Sequence, residues 1–78
     1  MTTKQLIEKV KKLYNEKGSV SLNGMQVHEY RGGKGDLVTL DRVFVDNNEL
    51  CVLCVGGMLF IPLSELTYRE LNRIVKMY

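Results

Sequence analysis

Apolar residues near the start of the chain fall at Leu6, Ile7, Val10, Leu13 and Tyr14. That is helical spacing, and it predicts one helix from about Lys4 to Lys17 with a single apolar stripe. Thr2 and Gln5 have capping-box spacing, and Gly18 suits a left-handed stop. On the far side Lys4, Glu8, Lys12 and Glu16 alternate in sign every four residues, as a solvated ladder of weak pairs does. The same period returns at the other end of the chain. Tyr68, Leu71, Ile74, Val75 and Tyr78 mark a second helix, from about Tyr68 onward. Thr67 and Glu70 form its capping box, and Leu66 with Leu71 fits a hydrophobic staple.

Between the helices the period drops to two. Val20, Leu22, Met25 and Val27 alternate with Ser19, Ser21, Gln26, His28 and Tyr30, around Asn23-Gly24. Asn-Gly favours a type I′ turn, because both central positions need positive φ. The pattern predicts a hairpin pairing Leu22 with Met25 and Val20 with Val27, wet on one face. Arg31 to Asp36 holds three glycines in six residues and predicts an exposed loop. A three-stranded meander follows: Leu37 to Val45, Leu50 to Val55 and Met58 to Ile61. Asn47-Asn48 and Gly56-Gly57 as two-residue loops would pair Val45 with Leu50, Phe44 with Cys51, Val55 with Met58 and Leu53 with Phe60. Pro62 ends the sheet.

The order is therefore α-β-β-β-β-β-α, a small single α+β domain spanning residues 1–78. Every position from Leu50 to Val55 is apolar, and such a strand is usually covered on both faces. Two helices account for one face. The other needs a second cover: the sheet curling on itself, or another copy of the chain. The expected architecture is a strongly curled antiparallel five-stranded sheet, at the limit a small barrel, with both helices packed on it. A homodimer is the alternative way to close the second face.

Composition adds limits rather than a function. The chain has 78 residues, 45% hydrophobic and 26% charged, as in ordinary globular domains. No apolar run is long enough to span a membrane. The N-terminal stretch lacks the apolar centre of a signal peptide, so a cytoplasmic location with reduced cysteines is expected. Net charge is +2, distributed as +3 over residues 1–17, +1 over 18–35, −4 over 36–66 and +2 over 67–78. Basic ends flank an acidic middle.

Cys51 and Cys54 carry the strongest candidate chemistry. On a strand, residues an odd number apart face opposite ways, and their Cα atoms lie roughly 10 Å apart. A disulfide needs about 7 Å or less. Redox and zinc CxxC pairs sit where the chain folds back, so these two read as buried filler. A structural zinc site wants four ligands, and the whole chain holds two Cys and one His. His28 falls on the wet hairpin face, with Glu29 on the other. Ser19 and Ser21 lie across the proposed hairpin from it, but no acid is placed to complete a triad. The Arg31 to Asp36 loop has glycines and two cations, yet Lys34 is followed by Gly35-Asp36 and a strand, not by the Ser/Thr and helix of a phosphate loop.

Arg69, Arg73 and Lys76 gather on one side of the last helix, and within that helix no acid lies four residues from any of them. Together with Arg31 and Lys34 they are the candidate binding residues. No catalytic residue, metal or cofactor is expected. In size and make-up the chain resembles short bacterial and phage proteins, on no specific motif. The first functional expectation is a non-enzymatic module that binds a protein partner or itself through sheet surface or an exposed strand edge. The alternative is a small nucleic-acid-binding protein that meets phosphates through the Arg31–Lys34 loop and the Arg69/Arg73/Lys76 face.

Overall fold

In the computed structural model, helix α1 (Thr3–Lys17) is closed at both ends as its sequence dictates. Thr2 Oγ1 accepts from the Gln5 amide at 3.2 Å, and the Thr2 amide donates to Gln5 Oε1 at 2.8 Å. Gly18 stops the helix at φ 74°, its amide reaching Tyr14 O at 2.8 Å. The structure describes residues 1–30, 34–57 and 59–78, without the side chain of Tyr30. The expected pairing of Met58 and the loop residues Arg31, Gly32 and Gly33 lie outside it.

Five strands follow: β1 (Val20–Ser21), β2 (Gln26–Tyr30), β3 (Lys34–Asp46), β4 (Glu49–Cys54) and β5 (Phe60–Pro62). A short 3₁₀ turn, Leu63–Glu65, leads to α2 (Tyr68–Lys76). The Thr67–Glu70 capping box of α2 is formed in both directions, at 2.9 and 3.1 Å. The meander register is as expected: Val45 opposes Leu50, Phe44 opposes Cys51 and Leu53 opposes Phe60. Asn47 and Asn48 turn the chain at φ 50° and 61°.

The Asn23-Gly24 turn forms, at φ 52° and 78°, with the Met25 amide on Leu22 O at 2.9 Å. It does not make a hairpin. Val20 pairs with Val43, and Val27 pairs with Val38. Across the turn the ladder to β3 continues, Leu22 N to Asp41 O at 2.9 Å and Leu40 N to Met25 O at 2.8 Å. β1 and β2 are one strand looped out at its middle, running along a single edge of β3. The reason is that a tight turn fixes only four residues, while the 13-residue β3 offers both flanks a continuous partner. The facing of side chains survives the change of partner. Val20, Leu22, Met25 and Val27 are all buried, and Ser19, Ser21, Gln26 and His28 are exposed.

A second correction concerns Lys34 to Asp36, which belong to β3 rather than to a loop. Gly35, at φ 83°, sits beside the register shift between His28 and Tyr30. Its freedom at positive φ absorbs a bulge instead of ending the strand.

The sheet is open. Its order is β1-β3-β4-β5, with β2 beside β1 on β3. The expected strong curl, or a barrel, is not present. Closure would need β5 to pair with the β1–β2 edge. β5 has three residues, one of them a proline without an amide hydrogen. The β1–β2 edge is already occupied by the last helix and the residue beyond it. Tyr78 Oη donates to Ser21 O, Arg73 Nη1 donates to Gln26 O at 3.3 Å, and Glu70 Oε2 accepts from the His28 amide at 3.3 Å. Side chains thus take the place of a neighbouring strand, one of the ways an edge is protected from pairing.

Both helices bury their stripes on the same sheet face. Leu6 and Val10 of α1 and Leu71 and Ile74 of α2 join one cluster with Val20, Leu22, Leu40, Val43, Val52 and Cys54. The ends of the helices also meet, Lys17 Nζ standing 5.7 Å from the centre of the Tyr78 ring.

Candidate functional sites: an uncovered sheet face and a cationic groove

Strand β4 divides the molecule. Leu50, Val52 and Cys54 turn toward the helices, so Cys51 and Leu53 turn away. On this outer face Phe44, Cys51 and Pro62 stand abreast, with Arg42, Leu53 and Phe60 as the next row. The Phe44 and Phe60 rings meet edge to face across β4, with centroids 5.5 Å apart. No buried helix residue belongs to this face. Phe60 is 46% exposed, while Phe44, Leu53 and Pro62 are half-buried. A middle strand apolar on both sides therefore has helices on one side and open solvent on the other.

The face is electrically lopsided. Asp46 and Glu49 close the β3–β4 end, and Glu65 follows Pro62 at the same end. Arg42 lies one row toward the opposite end and pairs with Asp41 at 2.9 Å.

The two cysteines are free and buried, on opposite faces of β4. Cys51 is 1% exposed in spite of facing outward, because the Phe rings and Pro62 close around it. Burial pushes its thiol above the ordinary cysteine value, and the carboxylates of Glu49, Asp46 and Glu65 push it further. Burial also raises Cys54, with Glu29 adding to it. Thiols held protonated in this way are poor nucleophiles and poor ligands. Among the described residues no group of three or more His, Cys, Asp or Glu side chains is placed to hold a metal ion.

The second feature is a groove of about 460 Å³ between α2 and the β2–β3 hairpin. Thr67, Arg69, Glu70 and Arg73 form the helix wall. Gln26, Val27 and His28 form the strand wall, with Leu37 as its exposed apolar side chain. Of the candidate binding residues, Arg69 and Arg73 come together here. Lys34, at the exposed start of β3, and Lys76, at the end of α2, are not among its lining residues. Arg31 lies outside the described residues.

His28 has neighbours that its sequence position does not suggest. Ser21 pairs with Arg42, so no serine faces the histidine across a hairpin. The His28 ring contacts Gly35 O through Nδ1 at 3.0 Å. A carbonyl only accepts, so Nδ1 carries the hydrogen and Nε2 is left uncommitted. Glu70 reaches the backbone amide of His28, not its ring, from 42 residues away. Nothing in the spacing of the chain announces that contact.

No helix among the described residues is long and apolar enough to cross a membrane. No protein-family model, curated protein or solved structure matches the chain, so the functional reading rests on these two surfaces.

Proposed function

We propose that the protein is a non-enzymatic self-association module, in which two copies stack their outer sheet faces. The observation that carries this reading is the apolar patch of Phe44, Leu53 and Phe60 on the face opposite the helices. An exposed apolar surface of this kind marks an interaction site. Two charge arguments favour a second copy in one orientation. Residues 1–17 carry +3 and residues 67–78 carry +2, and both helices lie on the other face. Stacking outer faces keeps these basic layers apart on the two outsides of the assembly. A two-fold axis over Phe44 and Cys51 also sets Arg42 of each copy above the Asp46–Glu49 end of the other.

Three strands at about 4.8 Å spacing make a narrow patch. Two such patches bury on the order of 1,000 Å², the low end for a stable interface. A dissociation constant in the ~10–100 μM range follows in scale. Sedimentation equilibrium should therefore give a mass rising with concentration toward twice the 8.9 kDa chain. Arg42→Glu should shift that rise to clearly higher concentration without changing the thermal melt. A constant single-chain mass into the millimolar range would refute self-association.

The alternative, phosphate contact by Arg31, Lys34, Arg69, Arg73 and Lys76 acting together, has less behind it. The groove gathers Arg69 and Arg73, Lys34 and Lys76 are not among its lining residues, and Arg31 lies outside the described residues.

A further inference from the structure

We infer that the groove between α2 and the β2–β3 hairpin is a binding site for a small organic anion, a phosphate or carboxylate group carried on an apolar body. This does not depend on the self-association reading, because none of the residues that line the groove belongs to the patch of Phe44, Leu53 and Phe60.

Four observations converge on it. Arg69 and Arg73 are one helical turn apart and line the same cavity. Arg73 is fixed there by its bond from Nη1 to Gln26 O, which leaves the rest of its guanidinium fork for a ligand. Arg69 is exposed and has no carboxylate partner among the described residues. The groove also opens at the start of α2, where the amides of Tyr68 and Arg69 have no bonding partner among the described residues. First-turn amides and the positive end of the helix dipole favour an anion.

Glu70 is the one acid in the lining, and both of its oxygens are engaged. Oε1 accepts from the Thr67 amide at 2.9 Å and Oε2 from the His28 amide at 3.3 Å. The two arginines therefore leave the lining with a net positive charge. The strand wall sets the rest of the ligand's chemistry. Leu37 is apolar and 56% exposed, so an apolar ligand body covers surface that water now wets, while Val27 is buried and adds none. His28 Nε2 is available for a hydroxyl beside the anion.

The test is a titration of the full chain with phenyl phosphate, followed by amide chemical shifts. Saturable shifts at His28, Leu37 and Arg69 are expected. Inorganic phosphate should bind more weakly because it lacks the apolar body. Arg69→Ala should weaken phenyl phosphate roughly tenfold or more, as loss of charge-assisted bonds does. Its melt should be unchanged, since Arg69 holds nothing else. Lys12→Ala, on the remote face of α1, should bind as the native chain does. The proposal is overturned by absent or non-saturating shifts, by equal affinity for the two phosphates, or by an Arg69→Ala variant that binds normally. A mixed-sequence oligonucleotide that binds tightest, with steep salt dependence, would also overturn it in favour of an extended polyanion.

Discussion

Val52→Asp is expected to leave the chain unfolded, while Leu53→Asp, one residue further on, leaves it folded and monomeric. Val52 is 0% exposed in the cluster that joins both helices to the sheet. A carboxylate there has no partner, and burying an unpaired charge costs several kcal/mol. A domain of this size has only about 5–10 kcal/mol of total stability, so the substitution takes most or all of it. Leu53 points the other way and is only half-buried. A carboxylate there stays hydrated, and the expected cost is about 1 kcal/mol or less. What it removes is the apolar centre of the outer face. Far-UV circular dichroism and thermal melts of the two variants separate these outcomes. If Leu53→Asp unfolds like Val52→Asp, the outer face is part of the folding core and not a docking surface.

Glu70→Ala should be the most damaging change at any solvent-accessible position. One carboxylate makes the return bond of the α2 capping box, accepting from the Thr67 amide, and also holds the free edge of β2. Loss of that return bond costs about 1 kcal/mol, while the Glu70 amide keeps its own bond to Thr67 Oγ1. Leaving the His28 amide without its acceptor adds about 1 kcal/mol more. A combined loss of ~2 kcal/mol lowers the melting temperature by roughly 8–16 °C in a domain of this length. Gln5→Ala is the internal standard, because it removes the same return bond from the α1 capping box and has no second role. Urea denaturation of the two variants should show Glu70→Ala losing about twice as much. Equal losses would mean that the contact to β2 contributes nothing.

Much of the fold could be read from the chain because its signals are local. Capping boxes, the helical stripes and the Asn47-Asn48 turn each depend on residues within one or two turns of each other. The pairing of Phe44 with Cys51 followed from the two-residue Asn47-Asn48 loop, and Leu53 opposes Phe60 as expected although the second turn closes around Val55-Gly56, with the Gly57 amide on Cys54 O. The Asn23-Gly24 turn shows where local reasoning stops. The turn itself formed, yet its flanks were claimed by β3, whose length is a property of the whole sheet. Alternation still placed Val20, Leu22, Met25 and Val27 inside, because burial depends on which face a residue occupies and not on which strand lies beside it.

The expectation of a curled sheet failed for a related reason. Excess apolar surface on Leu50 to Val55 was legible, but how it is covered depends on edges. One edge is three residues long and ends in proline, and the other is filled by Glu70, Arg73 and Tyr78. Those contacts span 42, 47 and 57 residues, beyond the reach of any spacing rule. The same distance hid the groove. Arg69 and Arg73 stood out as unanswered cations on a helix, but His28 and Leu37 joined them only through tertiary packing.

If one copy meets another on the outer face of the β3–β4–β5 meander, amide chemical shifts recorded across a dilution series locate the contact directly. Phe44, Cys51, Leu53 and Phe60 are expected to shift together with concentration while Leu6, Val10 and the other α1 amides hold still. Shifts confined to the helices, or none at any concentration, would contradict it.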